Sequence, residues 1–139
     1  MKNKIPRIIW IDDMRNPETI IGNTQYWIKY LPNDFLNICN EKPEIIWLKS
    51  YNEWLTWLVK WHNESNEYVN CFCLDHDIAS FDKDGKEYTG ENVAYDIVNE
   101  ILENDKDFPY YECHSSNPVG RENIISVFNS CKKILDKIK

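Results

Sequence analysis

Four short apolar runs punctuate the chain, and each run is bounded by polar residues. They cover Ile8–Ile11, Glu44–Leu48, Tyr68–Leu74 and Tyr110–Cys113. Apolar runs of this length between turn residues are typical of buried β-strands. We therefore predict four strands, numbered here from first to fourth along the chain.

An amphipathic helix is predicted between the second and third strands. Ser50 followed by Glu53 has the spacing of a capping box, in which two side chains satisfy free backbone groups at a helix start. This pattern predicts a helix over residues 51–62. Its apolar spacing assigns the core-facing positions to Trp54, Leu55, Leu58 and Trp61.

Two longer helices are predicted in the second half of the chain. Thr89 is a suitable N-cap for a helix over residues 90–104, where apolar side chains recur every three or four positions. Asn117 is a further N-cap candidate and Pro118 suits a first helical position, so the last helix is expected to run through residues 120–138.

Two segments carry weaker patterns. In residues 18–43, Pro32 and the polar residues after it predict a short helix that reaches Cys39. Residues 78–87 are rich in charge and contain a glycine, so we predict a polar loop there.

Strands that alternate with helices favour a parallel sheet joined by crossover helices. The common flavodoxin-like arrangement places the strands in the order 2-1-3-4, with helices on both faces. We therefore expect one α/β domain over residues 1–139, folded as a small three-layer sandwich. The last predicted helix leaves no room for a fifth strand, so the sheet is expected to be truncated at four.

The charge balance argues against one broad class of partner. The chain has 139 residues, 42% of them hydrophobic, with a net charge of −7 and a pI of about 4.9. An acidic surface lacks the basic footprint of a nucleic-acid binder, so we expect no duplex DNA as a partner. A metal site for a small phosphate compound stays compatible, because a divalent cation reverses the local electrostatics.

The five cysteines form no recognisable zinc motif, since no pair has the Cys-x-x-Cys spacing. Cys71 and Cys73 share one face of the third strand, and we interpret them as small buried apolar residues. An odd number of cysteines without a signal peptide favours a reducing cytoplasm. No apolar run approaches the roughly 20 residues that span a bilayer, so no membrane partner is expected.

Polar residues follow the first, third and fourth strands. The carboxyl ends of parallel strands meet at one edge of a sheet, where α/β proteins build their sites. In the 2-1-3-4 order these three strands are neighbours, so the side chains after them should converge. The residues concerned are Asp12 and Asp13, then Asp75, His76 and Asp77, and then His114, Ser115, Ser116 and Asn117.

The residue types at this edge indicate a metal and a phosphate. Clustered carboxylates repel one another, and a cation removes that cost. Carboxylate oxygens suit Mg²⁺, whereas His76 or His114 shifts the preference toward Mn²⁺, Fe or Zn²⁺. The free N–H groups at the start of the last helix could hold an anion, and Arg121 could add a charged hydrogen bond to a phosphate.

Structural roles are the alternative at each of these positions. Asp12 and Asp13 could form a strand-end turn or a helix cap, and His76 could be a satisfied structural histidine. Residues 114–117 could be only the start of a helix. Residues 49–50 end the second strand on the far side of the first strand, so we assign them a structural role.

The acidic residues resemble the pocket of response-regulator receiver domains. By this resemblance Asp75 matches the phosphoacceptor, and Asp12 and Asp13 match the Mg²⁺-binding pair. Ser115 or Ser116 matches the switch hydroxyl. The receiver lysine that follows a fifth strand has no counterpart here, and the histidines at this edge are not receiver features.

Four ordered motifs more closely resemble a receiver-like group of bacteria and phages, the cyclic-phosphate processing receiver domains. The resemblance spans residues 8–125, apart from 18–43. It implies a flavodoxin- or receiver-like fold and action on a cyclic phosphate, at an RNA end or in a small nucleotide. The motifs are Asp12-Asp13-Met14-Arg15-Asn16-Pro17, Asp75-His76-Asp77, Thr89-Gly90 and His114-Ser115-Ser116-Asn117-Pro118-Val119-Gly120.

These residues and the resemblance together give an enzyme hypothesis. The predicted activity is that of a metal-dependent phosphoesterase, with Mg²⁺ or Mn²⁺ as cofactor and a cyclic phosphate as substrate. Histidines titrate near neutral pH and are therefore the candidates for general acid and base. The predicted site comprises Asp12, Asp13 and Asp75 for the metal, His76, His114 and Asp77 for catalysis, Ser115, Ser116, Asn117 and Arg121 for the phosphate, and Arg15, Thr89 and Asn92 elsewhere in the pocket.

Two other hypotheses fit the same residues. The chain could be a degenerate receiver-like domain that binds a nucleotide or metal and signals to a partner without catalysis. The missing lysine favours a loss of phosphotransfer, whereas the two histidines favour chemistry over simple binding. A weaker hypothesis is a signalling domain in which Asp75 accepts a phosphoryl group.

Overall fold

The chain folds around a four-stranded parallel sheet. The computed structural model describes residues 4–20 and 31–138. Strands β1 (Ile5–Ile11), β2 (Glu44–Leu48), β3 (Tyr68–Leu74) and β6 (Tyr110–Cys113) lie in the order β2-β1-β3-β6, and each neighbouring pair is parallel. The predicted α/β fold and its strand order are confirmed. The described residues add no fifth strand to this sheet.

Helices and one short hairpin surround the sheet. The antiparallel hairpin of β4 (Ser80–Phe81) and β5 (Glu87–Tyr88) lies within the segment predicted as a loop. Among the described residues, no helix combines the length and the apolar character needed to cross a membrane. The helices are α1 (Pro17–Ile20), α2 (Asn33–Ile38), α3 (Tyr51–His62), α4 (Gly90–Asn104) and α5 (Pro118–Ile138).

Alternation along the strands sends side chains into two cores, one on each side of the sheet. Ile9 and Phe72 belong to the larger core, which is completed by α3, α4 and α5. Ile8 and Cys71 belong to the smaller core, where Phe35 of α2 covers them. This is the predicted three-layer arrangement, and its two layers of helices leave the carboxyl ends of the strands at one open edge.

Helix α3 packs through three tryptophans. Trp54, Trp57 and Trp61 are buried, and their rings surround Phe72 at centroid distances of 6.0, 5.9 and 5.3 Å. The predicted inward position of Leu55 is wrong, since this side chain is 38% exposed. Leu55 lies about 100° round the helix from Trp54, whereas Trp57 follows Trp54 at the i+3 spacing of a single face.

Candidate metal and phosphate site

A polar residue directly follows each of three neighbouring strands. Asp12 follows β1, Asp75 follows β3 and His114 follows β6. Each donates its backbone N–H to the carbonyl oxygen of the last residue of an adjacent strand. The hydrogen-bond ladder of the sheet therefore continues for one residue beyond the strands and holds the three residues side by side. These bonds run from Asp12 to Leu48 (3.2 Å), from Asp75 to Ile11 (3.0 Å) and from His114 to Leu74 (3.0 Å).

The side chains of these three residues converge, and we name them the Asp–Asp–His cluster. One potential ligand atom from each of Asp12, Asp75 and His114 lies within 4.8 Å of the others. The cluster shares the face of the sheet that carries Trp10, because Asp12 lies two positions further along the same strand. The sequence-based expectation that polar residues from these strand ends meet is therefore supported by the geometry.

Asp12 uses both of its carboxylate oxygens. Oδ1 accepts hydrogen bonds from the backbone N–H groups of Met14 and Arg15, both at 2.9 Å. Oδ2 lies 3.0 Å from His114 Nε2. Burial would raise the pKa of Asp12, but the contact with His114 and the two backbone bonds outweigh it and lower the pKa. Asp12 is therefore held as an anion although it is only 1% exposed.

Asp75 responds in the opposite direction. Burial and the neighbouring charge of Asp12 raise its pKa, and they outweigh the lowering effects of His114, Arg15 and a hydrogen bond from the Ser115 hydroxyl. Asp75 is 9% exposed, so solvent screens this repulsion only weakly. Asp75 is therefore a carboxylate whose ionised form a nearby cation would stabilise.

His114 is fixed on three sides. Its ring stacks on Trp10 at a centroid distance of 3.9 Å and an interplanar angle of 7°. Nε2 faces Asp12, and Nδ1 lies 3.4 Å from Glu112 Oε2. Burial would lower the pKa of His114, but the two carboxylates outweigh it and raise the pKa. With only 4% of its side chain exposed, His114 has little access to solvent.

A second group of side chains surrounds His76. His76 Nδ1 lies 2.9 Å from Asp77 Oδ1, and the Asn117 amide donates to Asp77 Oδ2 at 3.4 Å. The hydrogen bond with His76 lowers the pKa of Asp77 and outweighs the opposing effect of burial, and Asn117 adds a smaller lowering. The side chain of His76 is 14% exposed, so this imidazole, unlike His114, retains contact with solvent.

Ser115 connects the two groups. Its hydroxyl donates to Asp75 of the cluster, and its oxygen accepts the backbone N–H of Asn117 at 3.0 Å. Asn117 caps α5, since its Oδ1 accepts the N–H of Gly120 at 3.0 Å, as the sequence pattern predicts. The start of α5 is thereby tied both to the Asp–Asp–His cluster and to His76.

Two glycines allow the helices to approach the site, and the sequence patterns alone did not reveal this role. A Cβ at Gly90 would lie 2.0 Å from the backbone oxygen of Asp75. A Cβ at Gly120 would lie 2.4 Å from Cγ of His76. The first turns of α4 and α5 therefore pack directly against the chain after β3 because both positions lack a side chain.

The remaining predicted residues differ in their relation to the cluster. Arg15 is close, since it donates to the backbone oxygen of His114 at 2.9 Å. Arg121 donates Nε to the backbone oxygen of Cys113 at 3.2 Å and lines a cavity of about 270 Å³ together with Glu112. Thr89 and Asn92 form the capping box of α4. Asp13 is half-buried and lies outside the Asp–Asp–His cluster, and Ser116 is exposed.

Two residues that support the cluster escaped the sequence analysis. Trp10 lies beneath the ring of His114, and Glu112 lies beside it. Each belongs to a strand and lies two positions before a site residue, so strand alternation assigns it to the same face. The signal was present in the sequence, but an apolar strand residue and a lone glutamate carry no motif.

The fold and the site define a class of protein. A parallel β2-β1-β3-β6 sheet with carboxylates after β1 and β3 and a hydroxyl after β6 is the arrangement of a receiver-like α/β domain. Residues 7–130 match the cyclic-phosphate processing receiver domain. The chain therefore belongs to the family of cyclic-phosphate processing receiver domains. A search of curated proteins and a search of solved structures each found no match.

Proposed function

We propose that this chain is a metal-dependent phosphoesterase that opens a cyclic phosphate in a small nucleotide or at an RNA end. The observation that carries the proposal is the Asp–Asp–His cluster, in which two buried carboxylates and an imidazole converge within 4.8 Å. Membership of the cyclic-phosphate processing family supports the substrate class. The acidic chain, with a net charge of −7, would need a local cation to bring an anionic substrate to this edge.

The donor atoms of the cluster fit a divalent cation. Asp12 Oδ2 and His114 Nε2 are 3.0 Å apart, a separation that suits two neighbouring ligands with bonds of about 2.1 Å. Two carboxylates with one imidazole favour Mn²⁺, Fe²⁺ or Zn²⁺ over Mg²⁺. A cation bound there would supply Lewis-acid stabilisation of negative charge on a phosphoryl oxygen.

His76 is the residue we assign to proton transfer. Its Nδ1 is occupied by Asp77 at 2.9 Å, which orients the ring and leaves Nε2 for exchange of a proton with the substrate. Partial exposure of His76 gives it access to solvent and substrate, whereas His114 is enclosed. Asp77 then acts by orienting the ring of His76.

The phosphate is proposed to lie at the start of α5, near the residues that join the two groups. The helix N-terminus favours an anion, and Ser115 and Asn117 position its first turn. Of the two arginines, Arg15 supplies positive charge to the cluster, because its charge lowers the pKa of Asp75. Ser116 and Arg121 stay as candidate phosphate contacts of the same helix.

The test is ring opening of cyclic nucleotides by the purified chain. The protein is incubated with Mn²⁺ and a 2′,3′-cyclic or 3′,5′-cyclic nucleotide, the Mn²⁺ is then removed on a chelating resin, and the linear phosphomonoester is measured by phosphorus NMR. We expect turnover that EDTA abolishes and that Asp75→Asn reduces at least about 100-fold. Asp136→Asn, which removes an exposed carboxylate near the far end of α5, should retain full turnover.

Binding without reaction would support the non-catalytic receiver-like alternative instead. Tight binding of a cyclic nucleotide, with no linear product from any cyclic phosphate in the presence of Mn²⁺, Zn²⁺ or Fe²⁺, would contradict the enzyme proposal. Labelling of Asp75 by a small phosphodonor would favour a phosphoacceptor domain.

A further inference from the structure

Glu112 is a carboxylate beside the site to which no function has yet been given. It lies on β6 two positions before His114, and its side chain is 16% exposed. Its Oε2 faces His114 Nδ1 at 3.4 Å. Within the described part of the chain, both atoms are buried and neither has another hydrogen-bond partner. A buried ring nitrogen and a buried carboxylate oxygen that lie 3.4 Å apart, each without a hydrogen-bond partner, are expected to interact.

Two carboxylates, Asp12 and Glu112, determine the orientation of the His114 ring. Stacking on Trp10 fixes the plane of the imidazole but does not distinguish its two faces or its nitrogens from its carbons. A half-turn of the ring would put a C–H group opposite Glu112 and another opposite Asp12. The carboxylate at the Nδ1 side therefore favours, together with Asp12, the orientation in which Nε2 points to Asp12.

We infer that Glu112 is a positioning residue that accepts the Nδ1–H of His114 and thereby aims Nε2 at Asp12 and Asp75. This inference rests on the proposed function, in which Nε2 is a metal ligand. Under this inference His114 binds the metal, and His76 carries out the proton transfer. Metal-bound histidines commonly donate their other ring N–H to a carboxylate, and this partner sets both the tautomer and the orientation of the ring.

The first test reads the tautomer directly. The chain has three histidines, so nitrogen NMR of protein labelled at the histidine rings gives a small set of signals. The signals of His62 and His76 are assigned with His62→Gln and His76→Gln variants. We expect His114 Nδ1 to be protonated in wild-type protein, both without metal and with diamagnetic Zn²⁺, and Nε2 to change its signal on Zn²⁺ binding. An unprotonated Nδ1 in wild-type protein would overturn the inference.

The second test compares Zn²⁺ affinity by calorimetry. Glu112→Leu should raise the Kd about 10- to 100-fold, the usual cost of losing such a partner. Glu112→Gln keeps an acceptor oxygen and should restore most of the affinity together with the Nδ1–H signal. Glu103→Gln, an exposed charge change on α4, is the matched control and should leave the Kd unchanged.

The outcomes separate this inference from the proposed function. Wild-type Zn²⁺ affinity in folded Glu112→Leu would contradict the positioning role even if the enzyme turns over. Should Glu112→Leu fail to fold, Glu112→Gln carries the test, and wild-type Zn²⁺ affinity in a Glu112→Gln protein whose Nδ1 is unprotonated would contradict the positioning role as well. A protonated Nδ1 that depends on Glu112, in a protein that binds Zn²⁺ but opens no cyclic phosphate, supports the inference and contradicts only the activity.

Discussion

Asp12 and Asp75 are neighbouring buried carboxylates whose proton affinities diverge. Asp12 has a lowered pKa because His114 and two backbone N–H groups stabilise its charge. Asp75 has a raised pKa because burial and the charge of Asp12 both oppose ionisation. The ionised form of Asp12 is thus favoured by its surroundings, whereas the ionised form of Asp75 is disfavoured and would be stabilised by a nearby cation. The electrostatics of the site depend on this difference between two identical side chains.

Replacing Asp75 should separate stability from metal binding. A carboxyl group whose pKa is raised in the folded protein makes its full contribution to stability below its unfolded pKa of about 3.9. That contribution is lost as the pH rises through the pKa of the group in the folded protein. In EDTA at neutral pH, Asp75→Asn should therefore have a higher free energy of unfolding in urea than wild-type protein, and the difference should shrink toward pH 4. The affinity for Mn²⁺ should fall at least about tenfold. Unfolding of this variant in EDTA would instead show that Asp75 is needed for the fold.

His114 gives the metal-free protein a stability that depends on pH. Because the pKa of His114 is raised in the folded protein, its contribution to the free energy of unfolding is complete below the unfolded pKa of about 6.5. This contribution is lost as the pH rises through the pKa in the folded protein. In EDTA, the free energy of unfolding of wild-type protein should decline across this range. The decline should be clearly smaller in His114→Gln than in wild-type protein. Parallel pH profiles for wild type and His114→Gln would contradict the account.

At this scale the sequence indicated the chemistry but not every partner. Asp12, Asp75 and His114 could be assigned to one edge because strand order and the ends of apolar runs are visible in a single sequence. Strand alternation places Glu112 and Trp10 on the face of the cluster, but their contacts depend on where the ring of His114 lies across β3, which no local pattern contains. Asp13, predicted as a ligand with Asp12, lies outside the Asp–Asp–His cluster, and its role as a ligand stays a prediction.

At the scale of elements, the first turns of α4 and α5 pack against the residues that follow β3. The N–H of Gly90 bonds the backbone oxygen of His76 at 2.8 Å, and Gly120 lies against the ring of the same residue. The lengths of the major helices and strands were predictable, since caps and apolar runs mark their ends. Their close approach was not, because a glycine in a first helical turn has no signature that separates a packing role from an ordinary one.

Alanine at these two glycines should have different consequences. At Gly90 the added Cβ meets backbone at 2.0 Å, so Gly90→Ala should lower the free energy of unfolding by about 3 kcal/mol or more. At Gly120 it meets the His76 side chain, which can rotate away, so Gly120→Ala should destabilise by less than about 1.5 kcal/mol yet reduce turnover at least about tenfold. Urea unfolding and the phosphorus NMR assay measure the two effects. A Gly120→Ala enzyme with wild-type turnover would contradict the assignment of His76 to proton transfer.

At the scale of the whole molecule, the sheet separates a functional edge from a structural one. Arg7, near the start of β1, is 1% exposed and bonds Glu64 through both terminal nitrogens, at 3.1 and 2.6 Å. It also bonds Asn70 at 2.5 Å, and its guanidinium lies 3.8 Å from the ring centroid of Tyr68. Charge at this end is therefore paired within the protein, whereas the carboxylates at the other end are not fully compensated.

Removal of Arg7 should affect stability alone. Arg7→Leu leaves the Glu64 carboxylate without its buried partner, so the free energy of unfolding should fall by about 3–5 kcal/mol. Turnover per folded molecule should stay unchanged, because the site is built at the opposite ends of the strands. Lys4→Ala removes an exposed pair with Asp107 and should cost less than about 1 kcal/mol. An equal effect of the two substitutions would contradict the buried role of Arg7.

The overall topology was the most predictable level, since alternation of strands and helices permits few parallel arrangements. The hairpin of β4 and β5 was missed because strands of two residues leave almost no periodic signal. Within that hairpin, Asp82 Oδ1 accepts the N–H groups of Asp84 and Lys86, both at 2.9 Å. This local bonding gives the segment its structure, and only the atomic contacts reveal it.

The central claim is that Asp12, Asp75 and His114 together bind a divalent cation. A crystal soaked in Mn²⁺, with an anomalous difference map collected near the manganese edge, tests this most directly. The account predicts one strong peak within about 2.0–2.3 Å of a carboxylate oxygen from Asp12, one from Asp75, and Nε2 of His114. The absence of a peak at saturating Mn²⁺, with His114 Nε2 still bonded to Asp12, would contradict it.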